Sequence, residues 1–184
     1  MILNEGLMKY KNIRVAYNRR FYSGVEFVKS FIQSNPRSLI KVTIPEYRKD
    51  PEHNVEFPNR LPAMTYENSV HILDIVNYIS GEVEWDYLKN IKDDNKFIAL
   101  LAIGQGSSGA TIQLNSYYNA SDNFSINVVS DNEMVEMKPI EVTSLFKGME
   151  VNEPTKEMPI RIYTPILQNK IIESPRHGHK PGFL

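Results

Sequence analysis

The stretch that decides the fold reads ALLAIGQGSSGATIQL and covers residues 99–114. An apolar segment reaches Ile103, and the chain then enters Gly104, Gly106 and Gly109 with the spacing G-x-G-x-x-G. Between a strand and a helix, this spacing is the fingerprint of a dinucleotide-binding fold. Between two strands, it is a glycine-rich hairpin turn. The secondary structure of residues 110–118 therefore distinguishes a nucleotide site from a turn.

The residues that follow the glycines favour the hairpin. Thr, Ile, Asn, Ser and Tyr dominate residues 111–118, and these types are middling to poor helix formers. Asp131 lies about 20 positions after the loop, where the fingerprint places an acidic residue, but Asp-Asn after a strand is also ordinary turn chemistry. The proline-rich remainder does not supply the further crossover helices of a dinucleotide fold. A nucleotide-binding enzyme that uses Gly104, Gly106, Gly109 and Asp131 is kept as an alternative.

Upstream of this stretch, the sequence pattern predicts two strands and three helices. Apolar alternation predicts strands over 13–17 and 40–44, and a Ser-x-x-Glu capping box at Ser23 and Glu26 begins a helix between them. Residues 45–65 form a long polar loop that contains four prolines. A second helix is predicted to begin at Asn68 or Ser69, with His71, Asp74 and Asn77 along its polar side. Residues 82–91 predict a third helix, which completes a helical hairpin.

Downstream, the pattern changes to short strands separated by turns. The segments 111–118, 124–129 and 134–137 read as an antiparallel meander. We therefore predict an α+β fold in which an N-terminal strand-helix-strand and a helical hairpin pack on a C-terminal antiparallel sheet. Residues 1–164 are predicted to form a single domain, and residues 165–184 an extended C-terminal arm.

Composition limits the class of protein. The 184 residues carry a formal net charge of −1, which provides no overall field that would attract nucleic acid or an anionic membrane. The chain has no cysteine, and no signal peptide is recognised at its N-terminus. We expect an intracellular protein, or one incorporated in a virus particle, that has no membrane partner.

Few residue patterns predict a chemical site. His177 and His179 could ligate a metal from one side of an extended segment, but no complete set of three or four ligands accompanies them. No pair of carboxylates is placed by the sequence for acid–base work. We therefore predict no catalytic residues, no metal and no cofactor.

A basic and aromatic cluster suggests a second alternative. It comprises Arg14, Arg19, Arg20, Phe21 and Tyr22. Arginine contacts phosphate and aromatic rings stack on bases, so the cluster suits an accessory protein that binds single-stranded nucleic acid. Because the net charge is close to zero, a loop of solvated charges is the preferred interpretation.

The C-terminal residues provide the leading functional hypothesis. The arm is apolar and contains a candidate partner interface, which comprises Ile166, Leu167, Ile171, Ile172, Phe183 and Leu184. Extended apolar arms dock on neighbouring subunits. The sequence therefore predicts a non-enzymatic structural or adaptor subunit of a large oligomer, in its concrete form a ring, tail or capsid-associated component of a virion. Its expected partners are other protein subunits, including copies of itself.

Overall fold

The computed structural model describes residues 17–45, 69–93, 96–117, 120–175 and 180–182. A 3₁₀ turn, Asn18–Phe21, leads into helix α1, Ser23–Ser34, and helix α2 covers Val70–Ser80. The strands are β1 Leu39–Ile44, β2 Val83–Asp93, β3 Lys96–Gly106, β4 Thr111–Tyr117, β5 Ser125–Ser130, β6 Glu133–Met137, β7 Val142–Asn152 and β8 Ile162–Ile172.

All eight strands belong to one mixed sheet. Their order is β2-β3-β4-β1-β5-β6-β7-β8. The pair β1 and β4 is parallel, and the other six neighbouring pairs are antiparallel. The early strand β1 is thus inserted between β4 and β5, where it joins two antiparallel blocks.

The hydrophobic core lies between the two helices and one face of the sheet. Alternate residues of the central strands are buried, among them Ile40, Val42, Ile112 and Leu114. The helices contribute apolar residues at helical spacing, as Val25, Val28 and Ile32 do in α1. Every second residue of a strand and every third or fourth residue of a helix lie on one side of the element. These residues of the sheet and of α1 therefore face the same core.

The stretch 99–114 forms the hairpin of β3 and β4. The two strands pair antiparallel from Ala99 opposite Tyr117 to Gln105 opposite Thr111. Gly109 has a φ of +93°, a backbone conformation that L side chains rarely adopt, and it completes the turn. The hairpin interpretation of the glycine loop is therefore confirmed.

The predicted fold class is wrong in three respects. Residues 83–93 form β2 rather than the second helix of a hairpin, because this segment pairs along the whole length of β3. The sheet is mixed rather than antiparallel, since β1 lies parallel to β4. Residues 165–172 belong to β8, which pairs with β7 and continues the sheet, whereas the sequence predicts that an extended C-terminal arm begins at residue 165. The structure is mostly strand, with few helices.

The remaining sequence predictions concern the start of helix α1 and residues that lie at or beyond the limits of the described ranges. Helix α1 begins where predicted, but no capping box forms: the amide of Gly24 donates to Oε1 of Glu173 over 2.7 Å. The end of the chain returns to the 3₁₀ turn, where Asn18 Nδ2 donates to the Pro181 carbonyl over 3.0 Å. The predicted strand 13–17, except for Tyr17, and the loop 45–65, except for Pro45, lie outside the described residues.

Candidate functional site

The amides of the glycine loop already donate hydrogen bonds, two within the hairpin and two to the end of α2 and the segment that links it to β2. The loop donates from Gly106 to Ala110 O, from Ser107 to Glu82 O, from Ser108 to Ser80 O and from Gly109 to Gly106 O, each over 2.9 Å. A pyrophosphate needs free amides at a helix N-terminus. This loop has neither free amides nor a following helix, so it does not fit a dinucleotide.

The glycines have a packing role instead. A Cβ on Gly106 would lie 2.5 Å from the carbonyl oxygen of Ser80, and one on Gly104 would lie 2.4 Å from that of Glu84. Both obstacles are backbone atoms, which cannot rotate away. The glycine spacing therefore reflects the close approach of β3 to the end of α2 and to β2. Asp131, the acidic residue of the fingerprint, lies in the turn between β5 and β6 with a φ of +46°.

A polar cluster, which we call the His71 cluster, forms where α2 meets the 3₁₀ turn. It comprises Tyr17, Arg19, Arg20, His71, Asp74 and Tyr78. Spacings of three and four residues bring His71, Asp74 and Tyr78 to one side of α2. The 3₁₀ turn supplies the two arginines. The cluster thus joins two elements that the sequence separates by about fifty residues.

Asp74 and Arg20 form the fixed centre of the cluster. Arg20 Nε donates to Asp74 Oδ2 over 2.6 Å, and its Nη2 donates to Oδ1, so the pair is bidentate. The Asp74 residue is 8% exposed, whereas the Arg20 side chain is 38% exposed. The hydrogen bond that Arg20 donates to Asp74 raises the pKa of Arg20, so the guanidinium stays charged. Planar bidentate pairing holds this guanidinium in one orientation.

Aromatic rings enclose the guanidinium. Arg20 Cζ lies 5.6 Å from the ring centroid of Tyr17 and 5.5 Å from that of Tyr78. The Tyr78 hydroxyl donates to Glu26 Oε1 over 2.6 Å, and Lys29 Nζ lies 3.6 Å from the Tyr78 ring centroid. These contacts link α1 and α2 through a network of charges and rings.

His71 is the group in this cluster with unused hydrogen-bonding capacity. Its Nδ1 is buried and has no hydrogen-bond partner. The ring packs edge-on against Tyr17, with centroids 6.1 Å apart and an interplanar angle of 85°. Burial and then the positive charge of Arg19 lower the pKa of His71 below its usual value of 6.5, against a smaller opposing effect of Asp74. The imidazole is therefore neutral near pH 7 and can accept a proton.

The four described residues of the nucleic-acid alternative do not form one open basic face. Arg20 is committed to Asp74, and Tyr22 is buried in the core. Phe21 is 64% exposed, and Arg19 lies near His71 and Tyr22. Arg14 lies outside the described residues.

The remaining site predictions fall on β8 and on the C-terminus. Leu167 is aligned with Phe146 of β7, and Ile171 with Thr143. Ile166 and Ile172 are exposed. His177, His179, Phe183 and Leu184 lie outside the described residues, among which no group of three His, Cys, Asp or Glu could hold a metal ion. Neither described helix has the length and hydropathy to cross a bilayer.

Sequence reasoning placed His71 and Asp74 on the polar side of a helix but did not join them to Arg20. The available signal was a polar triplet on an otherwise apolar helix, at positions 71, 74 and 77. What was missing was the partner, because nothing in the local pattern brings the 3₁₀ turn to α2.

The fold is similar to that of solved dehydrogenases. A dehydrogenase (MviM) from Clostridium difficile is 15% identical with a TM-score of 0.56, and the match covers 90% of this chain and 49% of that one. Levoglucosan dehydrogenase, in complex with NADH and levoglucosan, is 14% identical with a TM-score of 0.58, at 89% and 49% coverage. A super-repressor mutant of Gal80p from Saccharomyces cerevisiae is 12% identical with a TM-score of 0.54, at 90% and 49% coverage.

The chain spans about half the length of these solved structures. No protein-family model matches the sequence, and the comparison with curated proteins gives no match. The likeness therefore concerns the fold.

These comparisons contradict the predicted function. The sequence led us to expect a non-enzymatic structural or adaptor subunit of a virion, whereas the chain has a fold found in dehydrogenases. The enzyme class of the nucleotide-binding alternative agrees better with this fold, although the loop to which that alternative assigned the nucleotide is a closed hairpin.

Proposed function

We propose that the chain is the sheet-forming half of an oxidoreductase-type protein, and that His71 exchanges a proton with a hydroxyl of its substrate. The observation that carries the proposal is the half-buried imidazole of His71, whose pKa is lowered and whose inaccessible Nδ1 has no hydrogen-bond partner, so we assign the exchange with substrate to Nε2. A group of this kind, held in a charged cluster, is a candidate acid–base residue. The likeness to dehydrogenases supports the reaction class.

The chemistry of the cluster suits a hydroxyl that becomes a carbonyl. A neutral imidazole accepts the hydroxyl proton while the carbon gives its hydride to an oxidised nicotinamide, the co-reactant class that this step requires, and both are returned in the reverse direction. The guanidinium of Arg19, whose charge lowers the pKa of His71, keeps the ring in its accepting form. Arg20 is held in place by Asp74, and its charged guanidinium does not compete with His71 for the proton.

The proposal is confined to proton transfer. The glycine loop does not fit a dinucleotide, since its amides donate to carbonyl groups of the hairpin, of the end of α2 and of the segment that links α2 to β2. The solved levoglucosan dehydrogenase holds NADH, and the proposal assigns no nicotinamide-binding residues among those that the structure describes. As substrate class we propose a polyhydroxylated ring, of which levoglucosan is the available probe.

The test is a nuclear magnetic resonance titration of the full chain with levoglucosan. We expect the imidazole resonances of His71 to move on addition of the sugar, and the pKa of His71 to fall further, because a donated hydroxyl stabilises the neutral ring. In His71→Asn, the response of the neighbouring Tyr17 ring should weaken. Lys156→Ala, in the exposed turn between β7 and β8, is the matched control and should respond like the wild type.

Two outcomes would end the proposal. One is saturating sugar that leaves the resonances of His71 and Tyr17 unmoved. The other is an equal response in wild type and His71→Asn, which would place the sugar elsewhere.

A further inference from the structure

The second face of the sheet carries a continuous apolar row. Four register pairs connect it across five strands: Leu39 with Val129, Val129 with Met134, Met134 with Phe146, and Phe146 with Leu167. The two helices pack on the opposite face, because the core residues of these strands alternate with the row. Leu167 is 51% exposed.

The row continues along the outer part of β7 and β8. Met149 pairs with Pro165, and Val151 pairs with Tyr163. Met149, Val151 and Tyr163 are all exposed. A second apolar group, at the other end of the same face, comprises Tyr87, Ile91, Leu101, Ile103 and Tyr117, which are also exposed. The row itself is half-buried except at Leu167, and the two exposed apolar groups that it connects are the kind of surface that marks a protein interface.

A polar row runs between these apolar regions. It connects Lys41 with Asn127, Asn127 with Glu136, and Glu136 with Ser144. Asn127 Oδ1 is buried and has no hydrogen-bond partner. A buried acceptor without a donor costs free energy, which a covering surface with a donor would recover. Lys41 and Glu136 flank Asn127 on either side and carry opposite charges.

We propose that this face is the interface of a homodimer, in which the two sheets pack face to face about a two-fold axis that runs parallel to β5 above Asn127. Such an axis places β1 of one copy over β6 of the other, since these strands flank β5. Lys41 then meets Glu136 of the second copy, and this pair occurs twice. The two half-buried Asn127 side chains meet at the axis, where a turn of each carboxamide about χ2 lets Nδ2 of one donate to Oδ1 of the other.

The size of the face agrees with a second copy as the occupant. Seven strands overlap about an axis above β5; at about 4.8 Å apart and about 20 Å long they present roughly 670 Å² on one side, within the range of about 600–1,000 Å² per partner. A stable interface of standard size buries about 800 Å² on each partner. A two-fold interface must also be self-complementary, and the alternation of lysine, amide and carboxylate across β1, β5 and β6 satisfies this requirement.

The test measures the mass of the full chain by sedimentation and light scattering over a concentration series. We expect twice the chain mass of 21.2 kDa for the wild type. Lys41→Glu and Glu136→Lys should each weaken the dimer by about tenfold or more, because each creates two like-charge contacts. The double variant Lys41→Glu/Glu136→Lys should restore the wild-type dissociation constant.

Lys29→Glu is the matched control. It makes the same charge change on α1, on the helical side of the sheet, and should leave the dimer unchanged. Circular dichroism of each variant separates loss of the dimer from loss of the fold. Val129→Glu, at the centre of the apolar row, provides a second disruption that does not depend on the ion pair.

Three results would overturn the proposal. The first is a folded wild-type chain that stays monomeric throughout the series, which would leave the face to a different protein. The second is a dimer that Lys41→Glu, Glu136→Lys and Val129→Glu do not weaken more than Lys29→Glu does. The third is a larger assembly that is equally insensitive, which would be built on another surface.

Discussion

Gly106→Ala tests the interpretation of the glycine loop as a packing device. The added methyl would lie 2.5 Å from the Ser80 carbonyl oxygen and 2.7 Å from the Ser80 Cβ. Since the main obstacle is backbone, β3 or the end of α2 must shift. Overpacking of this kind costs about 1–3 kcal/mol, and a rigid obstacle places the variant near about 3 kcal/mol.

The expected loss is large enough to measure directly. For a chain of this length, each kcal/mol lowers the melting temperature by roughly 2–4 °C, so Gly106→Ala should lower it by roughly 6–12 °C. Thermal unfolding followed by circular dichroism provides the measurement. Ser107→Ala is the control, because it changes the same loop without adding an atom.

A fluorescence titration with NADH completes the experiment. The paired amides of the loop predict that neither wild type nor variant binds NADH at this hairpin. If Gly106→Ala melted within about 2 °C of the wild type while abolishing measurable NADH binding, the packing argument would be refuted and the glycines would serve a ligand.

Two further predictions concern the His71 cluster. Arg20→Met should destabilise the chain by about 2 kcal/mol and Asp74→Ala by less, because a buried carboxylate without its partner is costlier than a guanidinium that can reach water; urea unfolding that gives the reverse order would contradict this asymmetry. The pKa of His71 is lower in the folded chain than its usual 6.5, so the stabilisation is complete above that pH and is lost as the pH falls. The urea midpoint should therefore drop between about pH 8 and about pH 5 by a smaller amount in His71→Gln than in the wild type, and equal drops would show that His71 does not contribute.

Local patterns predicted many elements of this fold correctly. The helical spacing of Val25, Val28 and Ile32 locates α1, and alternation over 40–44 locates most of β1. Residue types after Gly109 identify β4, which is enough to distinguish a hairpin from a nucleotide loop. These features depend on neighbours within a few residues, where propensity and periodicity act.

The sequence patterns gave wrong predictions where pairing between strands determines the secondary structure. Trp85, Leu88 and Ile91 have helical spacing, yet 83–93 is a strand because β3 provides a pairing partner along its whole length. The same applies to 165–172, whose apolar residues predicted an arm and which instead pair with β7. Strand propensity depends strongly on the partner strand, and the sequence does not name that partner.

For the candidate site too, some features follow from the sequence alone and others only from the tertiary structure. The sequence by itself determined that His71 and Asp74 lie on the polar side of a helix and that Arg19 and Arg20 precede α1. Only the tertiary structure brought Arg20 to Asp74, left Nδ1 of His71 without a partner and aligned Lys41, Asn127 and Glu136 in one row. The physical reason is that helix faces follow from spacing along the chain, whereas contacts between elements follow from how the sheet orders its strands.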